Sequence, residues 1–100
     1  MLLFKKRFLP AIREGAKTQT IRLWKHRHMR SGQRSYIPGV GYILVTEVEV
    51  VELEALTDLD AQLDGFTTAA ELRAEVEQLY AEQLAAGHRA YRVRFERVPE

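Results

Sequence analysis

The stretch that decides the fold of this chain is residues 15–22, which read Gly15-Ala16-Lys17-Thr18-Gln19-Thr20-Ile21-Arg22. The apolar periodicity before it predicts a short helix over residues 7–14 that stops at the glycine. The residues after the glycine predict a strand over residues 17–24. Because side chains two apart on a strand share a face, Thr20 and Arg22 project together and Ile21 points the other way. We expect Ile21 to enter a core while Thr20 and Arg22 face a cleft or water.

The polar side chains of this stretch are suited to holding a polar or anionic ligand. Lys17 supplies a mobile point charge, Thr20 a hydroxyl that donates and accepts, and Arg22 a planar fork of donors. A threonine hydroxyl acts as a nucleophile only beside a base, and a lysine serves as that base when burial or a neighbouring cation lowers its pKa. Lys17 lies at the predicted corner between helix and strand, so the three side chains can converge.

The composition predicts one modest globular domain that spans residues 1–100. Because the chain has no cysteine, a disulfide framework, a thiolate metal site and a cysteine nucleophile are excluded. No apolar run is long enough to span a membrane, so we expect no membrane contact. These features fit a reducing compartment, and we expect a cytoplasmic protein.

The charge of the chain is divided unevenly between its two halves. Residues 1–46 contain ten Lys/Arg and one acid, whereas residues 47–100 contain five Lys/Arg and thirteen acids, which gives about +9 and −8. Such asymmetry indicates an anionic partner for one face, with nucleic acid the commonest candidate. In the alternative interpretation the two halves fold together and neutralise each other.

The remaining strands follow from hydrophobic patterning. Residues 42–53 are dense in Val, Ile and Thr and predict the longest strand, with a bulge or bend where the pair Val50-Val51 breaks the alternation. Shorter strands are predicted over residues 35–37 and 91–98, and a short helix within residues 56–63.

The clearest helix is predicted over residues 69–85. It begins with Thr68-Ala69-Ala70-Glu71, which has the spacing of a capping box, and Gly87 is well placed to end it. The element order, with hairpin-type connections and four or five strands, predicts a small α+β fold. We expect a mostly antiparallel, partly open β-barrel with a short N-terminal helix and one longer late helix.

The pattern Gly15-x-Lys17-Thr18-x-Thr20-x-Arg22, preceded by a short helix, resembles the motif of the ASCH domain (activating-signal-cointegrator homology), part of the PUA-like β-barrel superfamily. Ser31-Gly32-Gln33 resembles the family's turn after a variable loop, and the late helix and the strand Tyr91-x-Val93-x-Phe95 follow in the family's order. The likeness spans nearly the whole chain, and the first motif is its specific part. The resemblance implies one PUA-like domain with a cleft that binds RNA or a nucleotide-like ligand.

One branch of this family consists of small bacterial enzymes that hydrolyse N(4)-acetylcytidine, and the chain is similar to them in length and in the Lys-Thr-x-Thr-x-Arg spacing. In those enzymes the lysine is the base, the second threonine the nucleophile and a later glutamate the acid. The resemblance implies that Lys17 and Thr20 take the first two roles. Asp64 is the best match for the acid, although it is one methylene shorter than a glutamate, and Glu71 is the alternative.

A basic segment follows the motif. Cations alternate with one aromatic side chain in residues 22–30, a composition that suits single-stranded or loop RNA. We expect this segment and the loop after it to form a basic rim of the cleft, with the candidate ligand-binding residues Arg22, Trp24, Lys25, Arg27, Arg30 and Arg34. Core or rim packing is the alternative role of Trp24. Tyr36 and Tyr42 flank a turn at Pro38-Gly39 and are expected to pack in the core, with the lining of a cleft as the alternative.

No metal and no cofactor is expected. His26 and His28 lack a third ligand, and the carboxylates of residues 47–64 begin with the two-residue period of a solvated strand face. No Walker-type or Rossmann glycine loop occurs in the sequence.

Three functions of different classes therefore remain open. The first is binding of RNA or a nucleoside-like small molecule in a cleft near Lys17, Thr20 and Arg22. The second is an amidohydrolase that acts on acylated cytidine. The third is a protein-interaction module that uses the charge asymmetry, and the sequence leaves the oligomeric state open.

Overall fold

A four-stranded antiparallel sheet with the strand order β1-β4-β3-β2 forms the centre of the computed structural model, which describes residues 1–99. The strands are β1 Gln19–Trp24, β2 Arg34–Ile37, β3 Gly41–Val51 and β4 Arg89–Arg97. The sheet curls into a half-barrel whose two edges are β1 and β2. The predicted fold class, a small α+β fold with a mostly antiparallel, partly open barrel, is confirmed.

One short helix precedes β1, and three more lie between β3 and β4. They are α1 Leu9–Glu14, which follows a 3₁₀ turn at Lys6–Phe8, α2 Asp58–Leu63, α3 Ala69–Leu79 and α4 Ala81–Ala85. Helix α1 ends at Gly15, whose φ of 81° lies in the left-handed region, so the predicted stop is correct. Within residues 1–99 no helix has the length and apolarity needed to cross a membrane.

The long late helix is interrupted at one residue. The sequence predicts a single helix over residues 69–85, but Tyr80 adopts φ −119° and ψ 27° and separates α3 from α4. Its side chain packs against the same hydrophobic cluster as the buried face of α3. The prediction of one continuous helix is therefore wrong, whereas its start after Thr68 is correct.

The bulge of β3 lies in the middle of the strand. The register against β4 shifts between Val45 and Glu47, so the irregularity falls at Thr46 and not at Val50-Val51 as the sequence predicts. The shift changes which residues point inward, because Val45 before it and Val48 after it are both buried. The two adjacent valines remain in regular pairing with β4.

The complete capping box belongs to α2. Thr57 Oγ1 accepts from the main-chain N–H of Asp60, and the Asp60 carboxylate accepts from the N–H of Thr57. At α3, the Thr68 hydroxyl accepts from the N–H of Glu71, but the described hydrogen bonds include no return bond from that carboxylate. Only half of the predicted box at Thr68 is therefore present.

The two faces of the sheet pack against separate hydrophobic clusters. The inner cluster joins the sheet to the N-terminal residues and α1 through Leu2, Ile12, Met29, Ile37, Ile43, Val45, Val48, Tyr91, Val93 and Phe95. The outer cluster joins β1 and β4 to α2 and α3 through Ile21, Leu23, Leu56, Ala61, Leu72, Val76 and Ala90. Ile21 therefore enters a core, as its strand position predicts.

The N-terminal residues span the open side of the half-barrel. The N–H of Leu2 donates to the carbonyl of Tyr36 on β2 at 2.9 Å, and Arg22 on β1 donates through Nη2 to the carbonyl of Leu3 at 2.7 Å. Phe4 follows and packs against the inner cluster. This segment therefore forms a wall beside β1, where the candidate site lies.

The tyrosines beside the β2–β3 turn point outward. Tyr36 and Tyr42 are 42% and 53% exposed, and their ring centroids lie 5.2 Å apart. The alternate strand positions, Ile37 and Ile43, are fully buried in the inner cluster. The prediction that both tyrosines pack in the core is wrong because the isoleucines occupy the inward positions.

Candidate functional site

A cavity of about 110 Å³ opens beside the edge strand β1. The N-terminal segment, β1, the turn after α2 and the helix α3 form its walls. Its polar lining residues include Lys17, Thr20, Arg22 and Asp64, and its aromatic ones Phe4, Phe8, Phe66 and Tyr80. The three motif side chains that sequence analysis selected therefore meet at one cavity, together with one of the two candidate carboxylates.

Lys17 and Asp64 form a buried ion pair in the wall of this cavity. Lys17 Nζ lies 2.6 Å from Asp64 Oδ1, and it also donates to the main-chain carbonyls of Asp64 and, at 3.0 Å, of Gln19. Only 2% of Lys17 and 3% of Asp64 is exposed. Three acceptors occupy the three donors of the ammonium group, so the lysine is fixed in one orientation.

Burial displaces the pKa values of this pair towards each other. Loss of hydration lowers the pKa of the Lys17 amine and raises the pKa of the Asp64 carboxyl, while their mutual attraction opposes both changes. The nearby Arg22 lowers the pKa of Lys17 further. Both displacements narrow the difference between the two pKa values, which lowers the cost of moving a proton from the amine to the carboxylate.

Thr20 and Arg22 form the second polar group of the cavity. Arg22 Nε donates to Thr20 Oγ1 at 3.0 Å, and the guanidinium carbon lies 4.9 Å from the centroid of the Phe4 ring. The described hydrogen bonds include none between Thr20 Oγ1 and Lys17 Nζ. Because the threonine oxygen accepts from Arg22, its own proton remains available to an acceptor in the cavity.

Aromatic side chains surround the lysine. The Phe8 ring centroid lies 4.8 Å and the Phe4 centroid 5.5 Å from Lys17 Nζ, and Phe8 packs on Phe66 at 5.5 Å. A Cβ at Gly65 would lie 3.2 Å from the Phe8 ring, so glycine permits this close approach. These aromatic residues are isolated in the sequence, and only the fold brings them together.

Gln19 is a site residue that the sequence analysis missed. Its side chain is fully buried on the face of β1 opposite Thr20, and Nε2 donates to the carbonyl of Asp60 at 3.1 Å and lies 3.5 Å from Asp64 Oδ2. Its Oε1 has no hydrogen-bond partner in the described part of the chain. The sequence contains a signal for it, because a glutamine that shares a strand face with Ile21 is a polar group in an apolar position.

The structure brings Asp64 and not Glu71 to Lys17. Glu71 lies exposed in the first turn of α3 and is absent from the cavity lining, so of the two candidate carboxylates only Asp64 lies at the cavity. One turn later, Glu75 lies at the cavity and accepts from Lys5 at 2.9 Å while pairing with Arg7 at 3.1 Å. This contact ties the N-terminal segment to α3.

The basic loop lies beside the cavity along the β1 edge. A depression that shares Leu3 and Arg22 with the cavity continues past Trp24 to His28, and a second one is formed by residues 27–33. Trp24 is half-buried between Tyr91 and His28, with ring centroids 5.2 Å from each, so it takes the packing role that the sequence left open.

The cations of this loop are free of ion pairs. Lys25, Arg27, Arg30 and Arg34 are exposed, and none of them has a carboxylate partner within residues 1–99. The two halves of the chain therefore neutralise each other only in part, through the Lys17–Asp64 pair and the contacts of the N-terminal segment with α3. In the second half, Arg92 and Arg94 pair with the carboxylates of Glu49, Asp60 and Glu47, so the acidic strand face is paired as well as solvated.

No cluster of His, Asp and Glu side chains in the described part of the chain has three members placed to hold a metal ion. His28 instead contacts the Trp24 ring.

Several solved structures have a fold similar to that of this chain. The hypothetical protein PH0355 matches with TM-score 0.79 and 17% identity over 96% of this chain and 95% of that one. The DUF984 protein EF3133 from Enterococcus faecalis V583 matches with TM-score 0.75 and 21% identity, over 92% and 67%. The ASCH domain from Lactobacillus crispatus JV V101 matches with TM-score 0.73 and 13% identity, over 88% and 68%.

These likenesses concern the fold. The sequence matches no protein-family model and no curated protein. The resemblance to the ASCH domain is confirmed at the level of the fold, which is that of ASCH and PUA-like proteins.

Proposed function

We propose that this ASCH-like chain binds a nucleoside-like ligand in the cavity beside β1. The observation that carries the proposal is the meeting of Lys17, Thr20 and Arg22 in one cavity whose other walls are largely aromatic and aliphatic. A nucleobase is a planar group with polar edges, and it is held by stacking on aromatic rings and by hydrogen bonds at its edges. Phe4 and Phe8 offer the rings, and Thr20 and Arg22 offer polar groups for hydrogen bonds.

The loop next to the cavity supports an RNA strand as the carrier of this nucleoside. Its exposed cations have no carboxylate partners in the described residues, so they are available to phosphates. The depressions along β1 lead from the cavity towards these cations. A nucleotide in the cavity would thus place its neighbours along the basic rim.

Binding of cytidine and of a labelled cytidine-rich RNA tests this proposal. We expect Arg22→Gln to weaken nucleoside binding by more than about tenfold, since a hydrogen bond to a charged group is worth about 1.5–3 kcal/mol. Arg30→Gln should leave nucleoside binding unchanged but reduce the salt dependence of RNA binding. Leu59→Ala, on an exposed apolar residue of α2, is the matched control. Equal binding by Arg22→Gln and the unsubstituted chain would contradict the proposal.

Amide hydrolysis is the second candidate function, and the Lys17–Asp64 contact favours it. The resemblance assigns a base, a nucleophile and an acid, and a proton shift within this pair supplies a neutral amine and a neutral acid. Thr20 Oγ would attack the acetyl carbonyl of N(4)-acetylcytidine while its proton passes to Lys17 Nζ. Cleavage of the C–N bond would give an acetyl ester on Thr20 and cytidine, whose N4 receives the proton of Asp64. Water would then hydrolyse the ester.

Conversion of N(4)-acetylcytidine to cytidine, followed by chromatography, tests this second function. We expect Thr20→Val to abolish turnover, because it keeps the shape of the side chain and removes the nucleophile, and Thr20→Ser to retain it. Asp64→Asn should lower turnover by about 10²–10⁴-fold, the usual contribution of a general acid. Turnover that survives Thr20→Val would exclude the threonine nucleophile, and a chain that binds the nucleoside without turnover would leave binding as the function.

A further inference from the structure

The outer face of the sheet is uncovered over β2 and the start of β3. Helices α2 and α3 cover this face beside β1 and the first half of β4, where the outer cluster lies. Tyr36 and Tyr42 are exposed and Leu44 is half-buried, and none of the three belongs to either hydrophobic cluster. The uncovered part of the face therefore presents aromatic and aliphatic side chains to solvent.

A row of three residues crosses this uncovered part. Arg34 on β2 lies opposite Leu44 on β3, and Leu44 lies opposite Glu96 on β4. Because residues opposite each other in a sheet share a face, a cation and a carboxylate flank the leucine, two strand spacings or about 10 Å apart. Within residues 1–99 neither Arg34 nor Glu96 forms an ion pair. The guanidinium carbon of Arg34 lies 4.8 Å from the centroid of the Tyr42 ring, and this stacking leaves the N–H donors at its edge available.

The neighbouring row is aromatic and aliphatic. Tyr36 lies opposite Tyr42, and their rings meet edge to face at an interplanar angle of 67°. The N–H of Val98 donates to the carbonyl of Tyr42, so Val98, two residues after Glu96, continues this row beyond the end of β4. We call the two rows together the hairpin face: Arg34, Tyr36, Tyr42, Leu44, Glu96 and Val98.

A two-fold axis along β3 makes the hairpin face complementary to itself. In a two-fold interface each contact occurs twice, and this axis sets β3 against β3 and β2 against β4 of a second copy. Arg34 then faces Glu96 of the second copy, and the row forms one such contact at each end. Leu44 and Tyr42 face their own counterparts, and Tyr36 faces Val98. Because the axis follows a strand, the two sheets stack with their strands aligned, which is a common packing of sheets.

Two features of the hairpin face favour a second copy over other occupants. The face carries one cation and one carboxylate that are unpaired among the described residues, so it has no net charge that would attract a polyanion. The edge of β2 is partly occupied, because the carbonyl of Tyr36 already accepts from the N–H of Leu2 at 2.9 Å. Strand addition at this edge would break that contact, whereas stacking on the face leaves it intact.

We propose that the chain forms a two-fold dimer through the hairpin face, independently of the ligand cavity at the β1 edge. The centre of the interface holds Tyr42 and Leu44, and tyrosine is enriched in interfaces because its ring buries a large area. The two contacts between Arg34 and Glu96 at the periphery fix the orientation and disfavour other registers. The hairpin face is smaller than the roughly 20–30 residues of a standard interface, so the dimer is weak and depends on concentration.

Sedimentation equilibrium of the full chain over about 10 µM to 1 mM tests the dimer. Arg34→Glu and Glu96→Arg should each raise the dissociation constant by more than about tenfold, since each brings like charges together at both contacts. An equimolar mixture of these two variants should dimerise again, within about threefold of the unsubstituted chain, because it restores opposite charges at both contacts. Tyr42→Ala removes the central ring from both copies and should weaken the dimer about tenfold.

Lys25→Glu is the matched control, because it makes the same change of charge on an exposed residue outside the hairpin face. It should leave the dissociation constant unchanged, and circular dichroism checks that every variant folds. A monomer over the whole concentration range would overturn the proposal, as would a dimer that neither charge reversal weakens. A monomer whose Tyr36 and Tyr42 NMR signals shift when single-stranded RNA is added would assign the face to RNA instead. Cytidine binding plays no part in this test, so its absence would contradict the proposed function and leave the dimer standing.

Discussion

The charged side chains of the cavity are buried and paired, whereas those of the basic surface are exposed and have no carboxylate partner in the described residues. In the cavity wall, Lys17 and Asp64 are buried from water, and each satisfies hydrogen-bonding groups of the other. On the surface, Arg27 and Arg30 are exposed and have no carboxylate partner among the described residues. A buried charge needs an opposite charge or hydrogen bonds inside the protein because desolvation is costly, whereas an exposed charge is hydrated and needs no partner in the protein. The contrast separates charges that are matched inside the protein from charges that remain exposed to solvent.

Removal of one member of the buried pair should have the largest effect on stability. Lys17→Met leaves the Asp64 carboxyl and two main-chain carbonyls without their donor, so we expect the free energy of unfolding to fall by about 3–5 kcal/mol. The measurement is denaturant unfolding at neutral pH. The double variant Lys17→Met with Asp64→Leu removes both charges, and it should recover most of the loss. A single variant as stable as the unsubstituted chain would show that the pair is not buried in solution.

Gly65→Ala tests the packing that surrounds this pair. The residue has a φ of 95°, and an added Cβ would lie 3.2 Å from Phe8 and 3.5 Å from Lys17. We expect a loss of about 2–3 kcal/mol, from backbone strain and from displacement of the Phe8 ring. Gly87→Ala is the matched control, because its φ of 81° carries the same strain with no atom within 4 Å of the new Cβ. Equal losses in both variants would mean that the ring moves freely.

The same comparison explains what could be predicted from the sequence. The strand containing Thr20 and Arg22 was predicted together with its buried face, because local alternation and the ASCH-like motif both reflect short-range constraints. The bulge at Thr46 was placed four residues too late, since the buried positions of β3 depend on its pairing with β4. The split of the last helix at Tyr80 depends on a core contact that no local pattern contains.

Some residues of the candidate site could be predicted from the sequence, and others depend on the fold. The motif located Lys17, but the choice between Asp64 and Glu71 required the fold, because the contact of Asp64 with Lys17 joins residues 47 positions apart in the chain. Phe8 is an apolar residue outside the motif. It reaches the site because the N-terminal segment crosses the open side of the half-barrel. The exposed tyrosines beside the β2–β3 turn were expected inside, since aromatic residues next to a strand are usually buried.

Glu75→Gln tests a partly exposed ion pair, which is intermediate between the buried Lys17–Asp64 pair and the exposed loop cations. Hydrogen bonding from Lys5 and the charge of Arg7 lower the pKa of Glu75. Its contribution is therefore present above the unfolded pKa of about 4.3 and is lost as pH falls through the lower folded pKa. We expect the variant to lose about 0.5–1 kcal/mol at neutral pH. Unfolding measured from about pH 7 to pH 3 should bring the two stability curves together at the acid end; a constant gap would contradict the ionic origin.

Arg30→Gln should have the smallest effect, and its sign distinguishes the two regions. Arg30 is exposed among other cations of the loop, so its removal relieves repulsion and should raise the free energy of unfolding by no more than about 0.5 kcal/mol at low salt. Salt screens this repulsion, so the gain should vanish near 0.5 M, about where the Debye length falls to a few ångströms. Glu75→Gln should lose its effect at the same salt, but from the destabilising side. The free energy of unfolding of both variants, measured at low and high salt, tests these two changes of opposite sign. A loss of stability in Arg30→Gln would mean that the loop cation has a partner inside the protein.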